Sequence, residues 1–267
     1  MTRYNVRLNW GGALVAVVLD LDLDFFAEGI VEFGFDVKPT LPPLWSESVF
    51  VQFLEERCGL SRATPVPGRI FEDHNEALCF WRDLLAGGLI AAPFHVVHVD
   101  AHADLGHDGG QNWVSWVEHL SVRVLGRPQN ERDNRVEDEP FENEVNYLLF
   151  AAARRWLSEL TFVTHPDMGS DYRIPTDFCP LLGTGERVIE LGQWDPDLFK
   201  DRTGMRLDGA KPERCEPPVP IRIVEGTDFR LDQPVVVASL ALSPEYTRQD
   251  TRLPDIFRRY ITVFPSV

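Results

Sequence analysis

The chain has 267 residues, 44% of them hydrophobic, which is enough to bury the core of a single α/β domain over residues 1–267. Its formal net charge of −16, from 42 acidic and 26 basic residues, argues against nucleic acid or an anionic membrane as a partner and is compatible with a cationic substrate. The 4 cysteines form no C-x-x-C pair, which argues against a disulfide framework or a zinc ribbon. We find no signal peptide and no apolar run of about 20 residues, so we expect a cytoplasmic protein without a membrane span.

The first apolar segment ends in a row of aspartates. Residues 13–19 are continuously apolar, which predicts a buried parallel strand, and they run directly into Asp20, Asp22 and Asp24. Strand alternation would place these three carboxylates on one face, where their mutual repulsion calls for a cation. The alternative is an ordinary edge strand with a solvated acidic face.

A loop and two helices are predicted between the first strand and the next. Residues 27–48, rich in glycine, proline and aromatic residues, predict a packed loop, and a helix is predicted over residues 46–58. Residues 65–68 read P-V-P-G, which is typical of a turn. A second helix is predicted to begin with Asp73 as its N-cap and to end at Gly87. His74 would then lie in its first turn, either as a capping or packing residue or as a metal ligand.

The densest set of metal-binding residue types follows the apolar residues 94–99, which predict a second buried strand. If that strand extends further, its alternation puts Asp100, His102 and Asp104 on one side. Carboxylate and imidazole ligands together suit manganese, iron or zinc. The alternative is a polar strand end with solvated charges, but three clustered charges are costly to desolvate without a counter-ion.

The rest of the chain alternates between helices and strands, which predicts a mainly parallel sheet with helices on both faces. Residues 129–142 are the most polar stretch and are interpreted as a mobile surface loop that serves as a lid. The other predicted elements are a helix over 113–124, a helix over 145–160, a strand over 161–164, a strand over 187–191, a loop over 200–220, a strand over 235–242 and a closing helix that contains Ile256, Phe257 and Tyr260.

These motifs resemble the arginase (ureohydrolase) superfamily, in which a D-A-H-x-D strand end and a D-x-D strand end share two manganese ions. Asp100 to Asp104 read D-A-H-A-D, and Asp73-His74 resembles the upstream helix start of that superfamily. The closer resemblance is to the arginase-like family that includes the peptide arginases of ribosomal peptide natural-product maturation, on D-L-D-F-F from Asp22 and N-Y-L from Asn146. The resemblance implies a three-layer arginase/deacetylase-like α/β fold. Its strand order would be rearranged, because D-x-D here precedes D-A-H-x-D instead of following it.

The resemblance also implies a set of site residues. Two Mn²⁺ ions would activate a water molecule for attack on a guanidinium carbon, with Asp104 as the acceptor of its remaining proton. Asp20 replaces a serine of the family pattern and would support the ligands from outside. His119, or else His107, would donate a proton to the leaving amine, although each is also explained by a structural role. Glu245 and Asn146 are the candidate substrate contacts, and the ligands would be His74, Asp100, Asp104 and Asp22 for one ion and Asp100, His102, Asp22 and Asp24 for the other.

The expected function is therefore that of a manganese-dependent peptide arginase, which converts arginine side chains of a cationic peptide to ornithine and releases urea. Loops over residues 27–47, 129–142 and 200–220 would supply the peptide-binding surface. Three alternatives stay open. They are a small-molecule ureohydrolase, a non-catalytic metal-stabilised module that binds a basic peptide, and a haloacid-dehalogenase-type phosphatase. Residues 17–22 resemble the D-x-D nucleophile motif of those phosphatases, but Asp24 departs from that motif.

Overall fold

A sheet of eight strands forms the centre of the computed structural model, which describes residues 15–30, 41–106, 113–133, 136–167, 178–199, 212–248 and 250–264. The strands in chain order are β1 Val17–Asp22, β2 Val66–Phe71, β3 Phe94–Asp100, β4 Leu157–Thr164, β5 Arg187–Ile189, β6 Gly192–Gln193, β7 Arg214–Cys215, β8 Val219–Glu225, β9 Val235–Ala241 and β10 Ile261–Val263. The α-helices are α1 Glu47–Gln52, α2 Glu76–Ala86, α3 Trp113–Glu118, α4 Tyr147–Ala153 and α5 Arg252–Phe257. The π-helical turns Phe53–Arg57 and His119–Val124 continue α1 and α3, and short 3-10 helices cover Leu23–Phe26, Gln129–Glu131, Val136–Phe141 and Pro196–Phe199.

The sheet has the order β10-β2-β9-β1-β3-β4-β8-β5, and its neighbouring strands are parallel except for the antiparallel pair β5 and β8. Strands β6 and β7 form a separate antiparallel pair. The prediction of an α/β fold with a mainly parallel sheet is confirmed. Strand β1 lies between β9 and β3, with Asp20 in register with Ser239 on one side and His98 on the other. The carboxyl ends of β1 and β3, which carry the acidic motifs, therefore lie side by side.

Two hydrophobic clusters cover the two faces of the sheet. Val18 of β1 and Val96 of β3 pack with residues of α2, α3 and α4. The alternate residues Leu19 and Val97 pack with residues of α1 and α5. Strand alternation thus divides the core into two layers and places helices on both sides of the sheet, as the strand and helix pattern predicts.

The prediction of a turn at residues 65–68 is wrong, because these residues belong mostly to β2. The N–H of Val66 donates to the carbonyl of Tyr260, and the carbonyl of Gly68 accepts from Phe264, so both residues face β10. Pro67 faces β9, whose pairing with β2 begins only at Gly68. A proline fits there because no ladder hydrogen bond is lost.

Two other expectations also need correction. The helix predicted over residues 145–160 ends at Ala153. Strand β4 begins already at Leu157, so the strand predicted over residues 161–164 is only the second half of β4. Strand β8 begins within the predicted loop over residues 200–220, of which residues 200–211 lie outside the described part of the chain. Within the described part, helices are all too short or too polar to cross a membrane.

The stretch over residues 129–142, interpreted as a mobile lid, is anchored to the fold by the buried side chains of Arg132, Asp138 and Glu142, although Asn130, Glu131, Asp133 and Pro140 are exposed. Arg132 is 1% exposed and donates to the backbone carbonyls of Leu125 and Ala153 and to the Glu216 carboxylate. Asp138 is fully buried. Arg132, Asp138 and Glu142 each pair with a partner of opposite charge in the interior, which composition alone does not reveal.

Candidate metal centre

The acidic end of β1 is held by local backbone geometry. Strand β1 ends at Asp22, and Asp22 Oδ1 accepts the N–H of Asp24 at 2.9 Å, which starts the 3-10 helix Leu23–Phe26. Asp20, Asp22 and Asp24 are all buried. Strand alternation therefore positions Asp20 and Asp22, whereas Asp24 reaches the same site through a helical turn.

A loop after β3 supplies the second group of acidic and histidine side chains. The strand ends at Asp100, whose Oδ1 accepts the N–H of His102 at 2.6 Å. Asp104 has a φ of 48°, a left-handed conformation that is uncommon for an aspartate. The alternation predicted through Asp104 is wrong as local structure, since the chain turns after Asp100. The turn nevertheless brings the three side chains toward one point, as expected.

His74 lies in the turn before α2. The helix begins at Glu76, with Asn75 in the N-cap position in place of the predicted Asp73. Glu76 Oε1 accepts the N–H groups of Glu72 and Asp73 at 3.0 and 3.2 Å, which fixes the turn. The turn points the imidazole of His74 into the space between the ends of β1 and β3.

The His74 ring contacts carboxylates through both nitrogens. Its Nδ1 lies 3.0 Å from Asp22 Oδ2, 3.0 Å from Asp100 Oδ2 and 3.2 Å from Asp104 Oδ2. Its Nε2 lies 3.2 Å from Asp20 Oδ2. A histidine held by a carboxylate through one nitrogen presents the other to a metal ion in many metalloproteins.

Ligand-type atoms gather into two groups that share Asp100. In each group the atoms lie within 4.8 Å of one another. One group is His74, His98, Asp100 and Asp104, and the other is Asp24, Asp100 and His102. These groups contain five of the six predicted ligands, and Asp22 lies beside them with its Oδ2 accepting the hydroxyl of Ser243.

His98 is the residue that the sequence analysis missed. It lies two residues before Asp100 on β3, so the same alternation that was used for Asp100 places it on the same face. It is fully buried, and its Nε2 lies 3.4 Å from Asp100 Oδ2. The family motifs carry no ligand at this position, and for that reason it was overlooked.

The buried nitrogens of this cluster fit a metal ion. His74 Nδ1 and His98 Nε2 are inaccessible to solvent and, although carboxylate oxygens lie 3.0 and 3.4 Å away, make no hydrogen bond of adequate geometry with the described residues. Buried polar atoms normally have a partner, and both nitrogens face carboxylate oxygens that a divalent cation would bridge. A donor set of imidazoles and carboxylates without thiolates suits manganese, iron or zinc. The residues therefore form a cluster able to bind metal ions.

Asp20 supports this cluster from outside. Its Oδ2 accepts the hydroxyl of Tyr147 at 2.7 Å, and its Oδ1 accepts the hydroxyl of Ser239 at 2.8 Å. The same Oδ2 lies 3.2 Å from His74 Nε2 and 3.4 Å from His98 Nδ1. Burial alone would raise the pKa of Asp20, but the two imidazoles outweigh it and hold that pKa well below its usual range. The carboxylate stays ionised and orients both rings.

The remaining carboxylates repel one another. Burial and the charge of Asp24 raise the pKa of Asp22 to about 6. Burial and the charges of Asp24 and Asp104 raise the pKa of Asp100 well above its usual range. Burial alone would lower the pKa of His102, but the Asp24 carboxylate raises it to about 9. Protons or cations must therefore balance the negative charge of this site.

One side of the cluster is open. The side chain of His102 is 38% exposed, and its ring lies 4.7 Å from that of Tyr246, measured between centroids. Burial, together with the charges of Glu144, Asp104 and Glu245, raises the pKa of Tyr246 to about 12. Glu245 itself is exposed. The opening thus combines an aromatic ring with acidic side chains, as a site for a cation would.

Two of the predicted site residues make contacts in another part of the fold. His119, the expected proton donor, places its Nε2 2.6 Å from Asp138 Oδ1 and stacks on Phe141 with 3.9 Å between ring centroids. Asn146, an expected substrate contact, is buried and bonds the Asn143 N–H and the Phe141 carbonyl. Both contacts stabilise the 129–142 region. His107 lies outside the described residues.

Protein-family models and curated protein sequences give no match to this chain.

Proposed function

We propose that this chain is a binuclear manganese hydrolase of the arginase-like type, which acts on the guanidino group of arginine side chains in a peptide and yields ornithine and urea. The observation that carries the proposal is the position of Asp100 in both groups of ligand-type atoms, because a shared carboxylate is how two ions are held side by side. The resemblance of D-A-H-A-D and D-L-D to arginase motifs supplies the reaction. The proposal includes an arginase/deacetylase-like fold and a cytoplasmic location.

The ligands divide between the two ions according to the two groups. His74, Asp100 and Asp104 would hold one ion, and Asp24, Asp100 and His102 the other. Divalent ions at such a site supply an activated water molecule for attack on a planar guanidinium carbon. Asp104 accepts the proton that this water releases, since its Oδ2 faces the interior of the cluster 3.2 Å from His74 Nδ1.

The open side of the cluster supports a cationic substrate. A guanidinium group can stack on the ring of Tyr246 while the exposed carboxylate of Glu245 attracts its charge. Tyr246 keeps its proton at neutral pH, because its pKa is about 12, so its hydroxyl can donate a hydrogen bond to the leaving amine. The proton that the leaving amine needs is the one that Asp104 has accepted, because His119, the donor expected from the sequence, is engaged by Asp138.

The exposure of the site to solvent favours an arginine side chain of a peptide over a free amino acid as the substrate. His102 faces solvent, and Glu245 lies at the surface beside Tyr246, so an extended peptide can approach while one side chain enters. The net charge of −16 adds a long-range attraction for a basic peptide. The phosphatase alternative is weakened, because both oxygens of Asp20, the residue its motif would use as nucleophile, accept hydrogen bonds in a fully buried position.

The test is mass spectrometry of arginine-containing peptides after incubation with the enzyme and Mn²⁺, combined with a urea assay. The expected product differs from the substrate by the mass difference between arginine and ornithine, with one urea released per converted residue. The control peptide carries lysine in place of each arginine, and the control enzyme is Asp100→Asn. Turnover of free arginine or agmatine without any converted peptide would assign the site to small molecules, and metal binding without any turnover would leave a binding module.

A further inference from the structure

We propose that His98 is a metal ligand and that it completes an enclosed subsite with His74, Asp100 and Asp104, which binds its ion before the open subsite of Asp24, Asp100 and His102 does. The inference rests on the proposed binuclear site and adds to it a ligand that the arginase motifs do not contain. It also means that the two subsites bind their ions with different affinities and exchange them at different rates.

The orientation of the His98 ring supports its role as a ligand. Its Nε2 is buried without a hydrogen-bond partner among the described residues and lies 3.4 Å from Asp100 Oδ2 and 3.9 Å from Asp104 Oδ2. Its Nδ1 lies 3.3 Å from the Tyr147 hydroxyl and 3.4 Å from Asp20 Oδ2. One nitrogen is thus anchored by polar groups while the other faces two carboxylates, as in metal-bound histidines.

The two subsites differ in burial. In the enclosed subsite the side chains of His74, His98 and Asp100 are 2%, 0% and 1% exposed. In the open subsite the side chain of His102 is 38% exposed. A closed set of four protein ligands is typical of ions held for structure, whereas a set of three that faces solvent leaves a position for water or substrate.

The subsites also differ in how firmly their ligands are held. Asp20 contacts both imidazoles of the enclosed subsite, so their rings are oriented before an ion arrives. His102 contacts Asp24 Oδ2 at 2.8 Å and the ring of Tyr246, and it lies on a loop. Less ordering is therefore needed for the first ion at the enclosed subsite, which favours tighter binding there.

The distribution of charge also favours tighter binding at the enclosed subsite. Asp100 and Asp104 together balance one divalent ion at the enclosed subsite. The second ion then meets a subsite that adds a single carboxylate of its own, Asp24, next to a neighbour that is already positively charged, while the additional carboxylate Asp22 lies against His74 of the enclosed subsite. The ion at the open subsite is therefore bound more weakly, and it exchanges more readily with ions in solution.

The experiment is a calorimetric titration of the chelator-stripped protein with Mn²⁺, followed by pulsed electron paramagnetic resonance on samples that contain one equivalent. Wild type is expected to show a tight and a weak phase, and the one-equivalent sample is expected to show nitrogen couplings from two imidazoles. His98→Ala should weaken the tight phase by more than the roughly 10–100-fold that removal of an outer partner causes, and it should leave one imidazole coupling. His102→Ala should lose only the weak phase.

His95→Gln is the matched control, since His95 lies on the same strand and contacts Thr161 instead of the cluster. If His98→Ala does not fold, judged by circular dichroism, His98→Gln keeps a side chain of similar length and tests the same loss of the imidazole coupling. An unchanged tight phase and two couplings in the His98 variant would overturn the inference while the wild-type stoichiometry of two ions and the peptide turnover stand. Absence of Mn²⁺ binding by wild type would instead remove the proposed function as well.

Discussion

The Oδ2 atom of Asp20 lies 3.2 Å from Nε2 of His74, and this contact directs the other ring nitrogen of His74 toward Asp22, Asp100 and Asp104. The same oxygen lies 3.4 Å from Nδ1 of His98. A single buried carboxylate thus orients two imidazoles at once.

Asp20→Asn is expected to weaken Mn²⁺ binding by about 10–100-fold, because the ring orientation of both histidines depends on this carboxylate. Isothermal titration of the stripped protein measures the change. Ser239→Ala removes only one hydrogen bond to Asp20 and is expected to have a much smaller effect. Equal affinities for wild type and Asp20→Asn would show that the rings are positioned by packing alone.

Asp100→Asn is expected to abolish stoichiometric metal binding, because Asp100 belongs to both groups of ligand-type atoms. The sequence motifs gave Asp22 the same bridging role, but its oxygens accept the Asp24 N–H and the Ser243 hydroxyl. Asp22→Asn should therefore lower the affinity and keep two ions at saturation. Elemental analysis after dialysis against Mn²⁺ separates the two variants, and equal metal loss in both would restore the bridging role to Asp22.

Tyr246→Ala is expected to raise KM for a cationic peptide and leave the metal content unchanged, because the ring packs beside His102, tilted by 56° from the imidazole plane, without supplying a ligand atom. A lost cation–π contact of about 0.5–2 kcal/mol corresponds to a roughly two-fold to thirty-fold increase in KM. Tyr246→Phe keeps the ring and should preserve KM while lowering kcat. A KM that does not change in Tyr246→Ala would place the guanidinium elsewhere.

Asp138→Asn is expected to destabilise the fold by about 3–5 kcal/mol at neutral pH, because it removes the buried carboxylate that Arg127 and His119 share and leaves Arg154 with Glu142 alone. Burial alone would raise the pKa of Asp138, but hydrogen bonds from His119 and Arg127 outweigh it and lower that pKa in the folded protein. The stabilisation is therefore complete above the pKa of about 4 of an unfolded aspartate, and it is lost as the pH falls through the folded value.

Urea unfolding at several pH values checks this expectation. The difference between wild type and Asp138→Asn should be largest near pH 7 and should shrink in acid. Asp228→Asn, which changes an exposed aspartate, is the control and should have little effect at any pH. A difference that stays constant into strong acid would mean that the lost charge is not its cause.

Long periodic or apolar segments could be predicted from the sequence, because local patterns determine them. Strands β1 and β3 and helix α2 follow from apolar runs and helical spacing. The convergence of Asp100, His102 and Asp104 was also predicted, although a left-handed turn at Asp104 achieves it instead of strand alternation. Such a turn depends on contacts with the rest of the fold, which local preference does not contain.

The errors concern residues whose partners are distant in sequence. The sequence predicts a turn at Pro67, but the residue lies in β2. A proline is tolerated there because of the strand order of the sheet, which cannot be deduced from residues 65–68. Asp138 was assigned to a mobile loop, because its arginine partners Arg127 and Arg154 lie outside that stretch. The resemblance makes His119 a candidate proton donor, but its contact with Asp138 cannot be foreseen from either position in the chain.

The ligand residues come from three separate segments, namely the end of β1, the turn before α2 and the end of β3 with the loop that follows it. They meet only after β1 and β3 have paired, and that parallel pairing joins residues far apart in the chain. We therefore expect that metal ions find a complete site only late in folding, after the pairing of the sheet that limits the folding rate. Manganese should consequently slow the unfolding of this protein while it leaves the refolding rate nearly unchanged.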